Sequence, residues 1–346
     1  MDMRKWIKAL PVVALLFMTV IAQAEEKPKV IRIGAGGNSL NLPKSSGATG
    51  WVDEQGLLEK EFAKDGIKIE RTYYKSMGPG QNEAIASGLI DFGSAGDLVL
   101  VVGRAGGLPY KIISTSGAGG GNVYIQVNPA SGIKSLKDLK GKRIGYAKGT
   151  YLQLCFVRIL DAIGLTEKDI KGVNLISSDQ IAALATNSVD AIVSNSDRPL
   201  VDQGVAQLLF DTRKYPQFKG GPGAIFVTEA FANKYPDITK RVLKTLLKGY
   251  YWASKPENQD AIIASSVKTG GTYKHIKADQ IGSLPPKEKY DPTITPEVLK
   301  GYQEIIDFSV KSGIIRRKYN VNELFDLRFQ GPALKELGYD KYWVHK

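Results

Sequence analysis

The stretch that decides the fold is Lys75-Ser76-Met77-Gly78-Pro79-Gly80-Gln81-Asn82-Glu83-Ala84-Ile85-Ala86-Ser87-Gly88-Leu89-Ile90-Asp91-Phe92-Gly93-Ser94-Ala95-Gly96-Asp97. It reads as turn, helix, strand, turn. Gly78, Pro79 and Gly80 break the preceding apolar run, and Ala84, Ile85 and Leu89 recur at the spacing that buries one face of a helix from Gln81 to Leu89. The first-turn amides of such a helix have no partner within it. With Ser76 just ahead, they offer N–H donors and the positive end of a helix dipole to an anion. A strand follows from Ile90 to Ser94 and ends in Ala95-Gly96-Asp97. That second turn sits at the carboxyl end of a sheet strand, where open α/β folds hold their ligands.

At the amino end, Arg4, Lys5 and Lys8 precede the apolar run Ala9 to Ala22, and Ala22-Gln23-Ala24 precedes Glu25. This is the three-part pattern of a cleavable secretory signal over residues 1–24, with cleavage near Ala24-Glu25. No later stretch approaches the roughly 20 apolar residues of a spanning helix. No cysteine lies near the cleavage site to accept a lipid, so the expected location is the periplasm of a bacterium with two membranes. The 346-residue chain carries a formal charge of +12, its lysines spread rather than clustered with aromatics. Export and this spread argue against nucleic acid and for a solvated basic surface. Cys155 is the only cysteine, which excludes an intrachain disulfide, and with only His275 and His345 as histidines the clusters of a zinc site are missing. No metal and no cofactor are expected.

Short apolar strands alternate with amphipathic helices, the pattern of α/β layers. Val30 to Gly34 reads as the first strand, Trp51 to Lys64 as a helix opened by the acidic pair Asp53 and Glu54, and Ile67 to Tyr73 as a strand. After the opening stretch come a helix at Val99 to Arg104 and a strand at Tyr110 to Ser114. Gly117 to Gly121 then holds four glycines in five residues, the expected first crossing between two lobes. The second unit runs through strands at Val123 to Val127, Lys142 to Tyr146, Val173 to Ile176 and Asp190 to Val193. Between them lie a short helix at Ser135 to Leu139, a helix opened by Lys148-Gly149-Thr150 and another at Asp179 to Thr186. Gly220-Gly221-Pro222-Gly223 marks the return, before a strand at Ala224 to Thr228 and a helical remainder whose longest run is Tyr235 to Ala253. The expected division is lobe one over 25–117 and 219–346, lobe two over 118–218, and a discontinuous first lobe.

From about Ile31 to Lys255 the chain resembles the periplasmic solute-binding proteins of bacterial ABC importers for sulfonates, taurine and nitrate. The resemblance rests on Gly56-Leu57-Leu58-Glu59-Lys60-Glu61-Phe62, Gly88-Leu89-Ile90-Asp91-Phe92-Gly93 and the run Ile133 to Gly145, with Lys148-Gly149-Thr150, Asn187-Ser188-Val189-Asp190-Ala191 and Phe231-Ala232-Asn233-Lys234-Tyr235-Pro236 beside them. It implies a type II periplasmic binding-protein fold, a "Venus flytrap" of two Rossmann-like lobes of mixed sheet with flanking helices. It also implies a monomeric receptor that closes on one small organic anion, a sulfonate or a taurine-like compound, and delivers it to an inner-membrane permease. Nitrate, a pyrimidine precursor of thiamine and an aromatic carboxylate stay open as ligands. An enzyme on the same scaffold, of desulfinase or thiamine-precursor synthase type, is the reading from another class. The chain departs from the sulfonate branch where Val99 and Leu100 replace paired prolines and where Ser194-Asn195-Ser196-Asp197 replaces a Trp-Asp-Pro element.

With the turns placed at a cleft, the candidate contacts are Gly37, Asn38 and Ser39 after the first strand; Ser76, Gly78 and Gln81 at the first helix start; Ala95, Asp97 and Ser116 at strand ends; and Thr150, Tyr151, Asn195 and Asp197 from the second lobe. Each has a plainer use. Thr150 stands where threonine most often caps a helix. Asp97 and Asp197 would cap helices or pair with lysines, and in a cleft they would repel a sulfonate and suit an amine. Trp51, Tyr73 and Tyr74 suit core or rim positions. Cys155 falls inside its helix with both histidines far away in sequence, so it reads as core rather than nucleophile.

Overall fold

A computed structural model describes residues 26–36, 44–76, 78–118, 120–195, 198–270, 272–279 and 284–343. The leader and the predicted contacts Gly37, Asn38, Ser39 and Asp197 lie outside the described residues. Strands β1 (Val30–Gly36), β2 (Lys68–Tyr74), β3 (Phe92–Ala95), β4 (Tyr110–Thr115) and, late in the chain, β10 (Ala224–Thr228) form one sheet in the order β2-β1-β3-β10-β4. The second sheet holds β5 (Tyr124–Val127), β6 (Arg143–Tyr146), β7 (Lys171–Asn174), β8 (Ala191–Ser194) and β9 (Gln207–Asp211), in the order β7-β6-β8-β5-β9. Both follow one plan: a central strand pairs in parallel with two neighbours, and the fourth strand, the first to enter after a crossing, runs antiparallel. The architecture is mixed α/β, and the first sheet is discontinuous in sequence.

The same device builds the centre of each sheet. Asp91 accepts from the backbone N–H of Arg32 at 2.9 Å and from its guanidinium at 3.0 and 2.6 Å, while the Gly88 carbonyl takes another guanidinium N–H. In the second sheet Asp190 accepts from the Arg143 N–H at 2.8 Å and from its guanidinium at 3.3 and 2.8 Å, and the Asn187 carbonyl takes Arg143 at 2.9 Å. Gly88 and Asn187 each end a helix in the left-handed region (φ 65° and 56°), three residues before the aspartate. The motifs Gly88-Leu89-Ile90-Asp91 and Asn187-Ser188-Val189-Asp190 are thus one mechanism used twice: a helix stop, then a carboxylate that fixes the next strand against its parallel neighbour.

Burial follows the sheet faces. Ile31 and Phe92 pack under the helix Pro236–Ala253, through Val242 and Leu247, together with Val52 of the helix Gly47–Glu54 and Phe62 of the helix Leu57–Phe62. On the opposite face Ile85, Leu98, Phe226 and Tyr302 gather, joined by Leu154 from the second-lobe helix Tyr151–Ala162. That helix therefore rests on both lobes.

Some expected elements shift. The helix expected from Trp51 to Lys64 is two, because Gly56 adopts φ 58° and resets the chain between them. Asp53 and Glu54 consequently end a helix instead of opening one, and they pair with Arg71 and Lys268. The helix after the Gly78 turn begins at Gly78 itself and spans Gly78–Ala86, and Asp97 opens the helix Asp97–Ala105. The strand expected at Val173 to Ile176 runs two residues earlier, at Lys171–Asn174, because an exposed edge strand is placed by backbone pairing with β6 rather than by an apolar pattern. The edge strand Gln207–Asp211, exposed over its first residues, has no alternation to reveal it.

The two crossings, Ser116 to Val123 and Thr212 to Gly223, run side by side. A Cβ on Gly120 would stand 1.8 Å from the Gly220 carbonyl oxygen, a distance no side chain survives without moving backbone. Gly120→Ala is expected to lower unfolding free energy by about 1–3 kcal/mol or more. Gly301→Ala, in a helix with open space around it, is expected to be neutral or stabilising by up to about 1 kcal/mol. Denaturant unfolding of the two variants checks this contrast.

Candidate functional site

Between the lobes lies a cleft of about 370 Å³. Seven of its thirteen lining residues are glycine, so the wall consists largely of backbone. The first lobe contributes Gly36 from the end of β1, Gly78 and Gln81 from the start of one helix, and Ser94 to Asp97, where β3 passes into the start of another. The crossings add Ser116, Gly120, Gly121, Gly221 and Gly223, and the second lobe supplies Tyr151. Among the described residues no lysine or arginine lines it. Two helix starts thus open on one space at the carboxyl ends of parallel strands, the ordinary ligand position of such sheets.

Gln81 is buried at 1 % exposure; its Nε2 donates to the Ser94 carbonyl at 2.9 Å, and its Oε1 has no partner among the described residues. Tyr151 projects from the first turn of its helix against the crossings: its hydroxyl lies 2.8 Å from where a Cβ of Gly121 would stand, and its ring 3.3 Å from the same point on Gly220. Burial raises the Tyr151 phenol well above its usual range, and the Asn195 side chain hydrogen-bonds to it. Asn195 therefore meets the cleft through Tyr151, while itself exposed. Ser116 donates its N–H to Gly223 at 2.8 Å and stitches the crossings together; Ala95 pairs with Ala224 beside it.

Two expected contacts sit elsewhere. Ser76 is exposed, with its hydroxyl against Gly80 and outside the cleft lining. Thr150 is buried as the cap of its helix: Oγ1 accepts from Leu152 N–H at 3.3 Å and donates to the Ala147 carbonyl at 2.8 Å. The neighbouring amides are also taken, Gly149 by Gln153 Oε1 at 2.7 Å and Lys148 by Asn174 Oδ1 at 2.9 Å. Gln153 is in turn held by Glu167, which Tyr146 also reaches. The second-lobe turn thus engages the amides of Lys148, Gly149 and Leu152 within its own lobe and presents the Tyr151 side chain to the cleft. The cleft residues not among the predicted contacts, Ser94 and the glycines 36, 96, 120, 121, 221 and 223, carry a legible signal in the glycine runs and the strand end.

Asp97 is fully buried at the cleft floor. Its Oδ2 accepts the Gly221 N–H at 2.5 Å and its Oδ1 the Leu98 N–H at 2.6 Å. It ties the return crossing to the first lobe across 124 positions of sequence. Burial pushes its pKa up to about 6, against the pull of those two N–H groups and of the Arg158 charge. On the helix Tyr151–Ala162, Cys155 is buried, and burial with the nearby Asp97 charge pushes its thiol far up. Trp51 stacks on Trp252 at 4.9 Å, Tyr74 joins the core, and Lys148 is exposed.

Two lobes of like topology, joined by paired crossings around a glycine-walled cleft, define a bilobal binding scaffold of the type II periplasmic binding-protein fold. The chain belongs to the NMT1/THI5-like family, whose profile matches residues 62–259. A protein of Bacillus subtilis (strain 168) named as aliphatic sulfonates-binding is 29% identical over 287 residues, covering 82% of this chain and 83% of that protein. One of the same description from Escherichia coli (strain K12) is 26% identical over 327 residues, covering 93% and 96%. Among solved structures, a periplasmic sulfonate-binding protein from Methylobacillus flagellatus KT aligns at TM-score 0.74 with 28% identity, over 92% of this chain and 97% of that one.

Because the Asp97 carboxyl holds its proton to about pH 6 when folded but only to about 3.8 otherwise, the folded state binds the extra proton between those values. Its contribution to stability therefore falls as pH rises from about 4 to 6, by at most about 3 kcal/mol, and stays low above. Asp97→Asn keeps an acceptor for Gly221 and removes the charge. Its melting temperature relative to wild type is expected to rise across that window; a difference independent of pH would show that Asp97 does not titrate there.

Proposed function

We propose that this protein is a periplasmic receptor that captures a small organic monoanion, a sulfonate first among candidates, between its lobes and delivers it to an ABC permease. The observation that carries this reading is the composition of the cleft: two helix starts and a backbone-rich wall, with no cationic side chain among the described lining residues. Such a wall binds an oxyanion through N–H groups and helix dipoles. The names of the relatives support the same ligand class. Asp97 does not repel a monoanion as a bare cleft carboxylate would, because both its oxygens are turned to the Gly221 and Leu98 N–H groups; its remaining charge makes a second negative charge on the ligand costly and so favours sulfonates over sulfate or phosphate dianions. The Ala9 to Ala22 leader pattern supports export, and among the described residues no helix is long and apolar enough to cross a membrane.

The reading includes no turnover and a single-chain receptor. A nucleophilic mechanism would need an activated thiol, and Cys155 is buried with its thiol held protonated, away from the cleft lining. Closure would turn on the paired crossings. His275 of the helix Tyr273–Asp279 meets Asp202 at 2.9 Å, with Lys274 at 3.6 Å from the same carboxylate, a contact between the C-terminal helical part and the second lobe. This contact is suited to hold the lobes together over a ligand.

A thermal-shift screen over alkanesulfonates, taurine, nitrate, sulfate, phosphate, carboxylates, amino acids and pyrimidines tests the ligand class. Sulfonates are expected to raise the melting point, following RT ln(1 + [L]/Kd), and sulfate and phosphate to have little effect. Gln81→Ala and Tyr151→Ala should each weaken binding about tenfold, in line with the loss of one good polar contact. A shift produced only by neutral or cationic compounds would overturn the anion reading. Small-angle scattering is expected to show a smaller radius of gyration at saturating sulfonate than without it, and Asp202→Ala should speed ligand release; an unchanged radius would speak against closure.

A further inference from the structure

The carboxyl ends of β2, β1 and β3 bring Tyr73, Ala35 and Ser94 onto the face of the first sheet that carries Ile33 and Phe92, since alternate residues of a strand share a face. Between this face and the helices Gly47–Glu54 and Pro236–Ala253 lies a second hollow of about 60 Å³. Its floor is aliphatic and aromatic, made by Ile33, Leu58, Phe92, Ile225 and Leu246. Ser94 lines both this hollow and the cleft, and Ala35 here adjoins Gly36 there, so the two spaces lie side by side at the ends of β1 and β3 with Ser94 between them.

The polar groups at its rim are already paired. Asp53 accepts from Arg71 Nε at 2.9 Å, Arg71 also binds Glu59, and Ser45 bonds to both Asp53 and Tyr73. A polar group entering here would lose its water and find these partners engaged, whereas an alkyl group would cover apolar surface at no such cost. The volume admits roughly four water-sized groups, a chain of about two to three methylenes with its methyl end.

Building on the reading of the cleft as an oxyanion site, we propose that this hollow is its tail pocket: the anionic head sits at the Gly96 and Tyr151 end, and a short unbranched alkyl chain runs past Ser94 under the helix Gly47–Glu54. The pocket sets chain length, and it discriminates against tails that end in an amine or hydroxyl.

Calorimetric titration of the full-length mature protein with methane-, ethane-, propane-, butane- and hexanesulfonate tests this. Affinity is expected to rise about fourfold per methylene until the hollow is full, and then to level or fall. Leu246→Phe and Thr49→Leu, which fill the hollow from two different helices, should flatten the series while leaving methanesulfonate affinity within about twofold of wild type. Leu246→Ala, which enlarges it, should move the optimum to a longer chain. Wild-type affinity independent of chain length, or an unaltered series in both filled variants, would overturn the tail pocket and leave the anion site standing. Absence of binding for every member, methanesulfonate included, would remove the sulfonate reading and this inference with it.

Discussion

The cleft exists because the two crossings touch backbone to backbone. Gly120 lies against the Gly220 carbonyl, closer than any side chain would allow, and that approach places both connections on one line between the sheets. Everything at the site is referred to this contact. The Tyr151 ring is wedged against Gly121 and Gly220, Asp97 grips Gly221, and Ser116 holds Gly223. Two strands of chain with little side-chain restraint, side by side, are also the place where two lobes rotate with least disruption of packing.

Each lobe is held rigid on its side of that line by an arginine–aspartate clamp. Asp91 with Arg32 and Asp190 with Arg143 stand at corresponding points of the two sheets, each three residues after a left-handed helix stop. Both aspartates also bind the backbone N–H of the arginine, so the clamp fixes strand register as well as side-chain position. Its value lies in several charge-assisted bonds made at once by one carboxylate, since a single exposed pair contributes little. Register in turn decides where β3 and β8 end, and therefore which residues reach the cleft.

The electrostatics of the cleft are unusual for a chain of formal charge +12. Among the described residues the lining has no cation and one buried carboxyl. An anion bound there is neutralised by dipoles rather than by a counter-ion, which avoids the desolvation of a buried ammonium or guanidinium. Asp97 is tolerated because two N–H groups solvate it and because its raised pKa lets it shed charge in mildly acidic solution.

The sequence alone determined the broad plan: the alternation of short strands and amphipathic helices, the two glycine-rich crossings, and turns at strand ends that open helices. These are local properties, set by residue spacing and by the backbone conformations that glycine and proline permit. The helix break at Gly56 and the edge strand Gln207–Asp211 escaped that reading, because a left-handed glycine inside an amphipathic run and a backbone-paired edge leave no periodic mark. Tertiary structure decided which group of each turn faces the ligand. Thr150 gives its hydroxyl to its own cap because Ala147 and Leu152 are at hand, and the space falls to Tyr151. Asp97 turns to Gly221, and the hollow beside Ser94 is closed by Ile225 and Leu246; these partners lie more than a hundred residues away, and only the order of strands in the folded sheet brings them together.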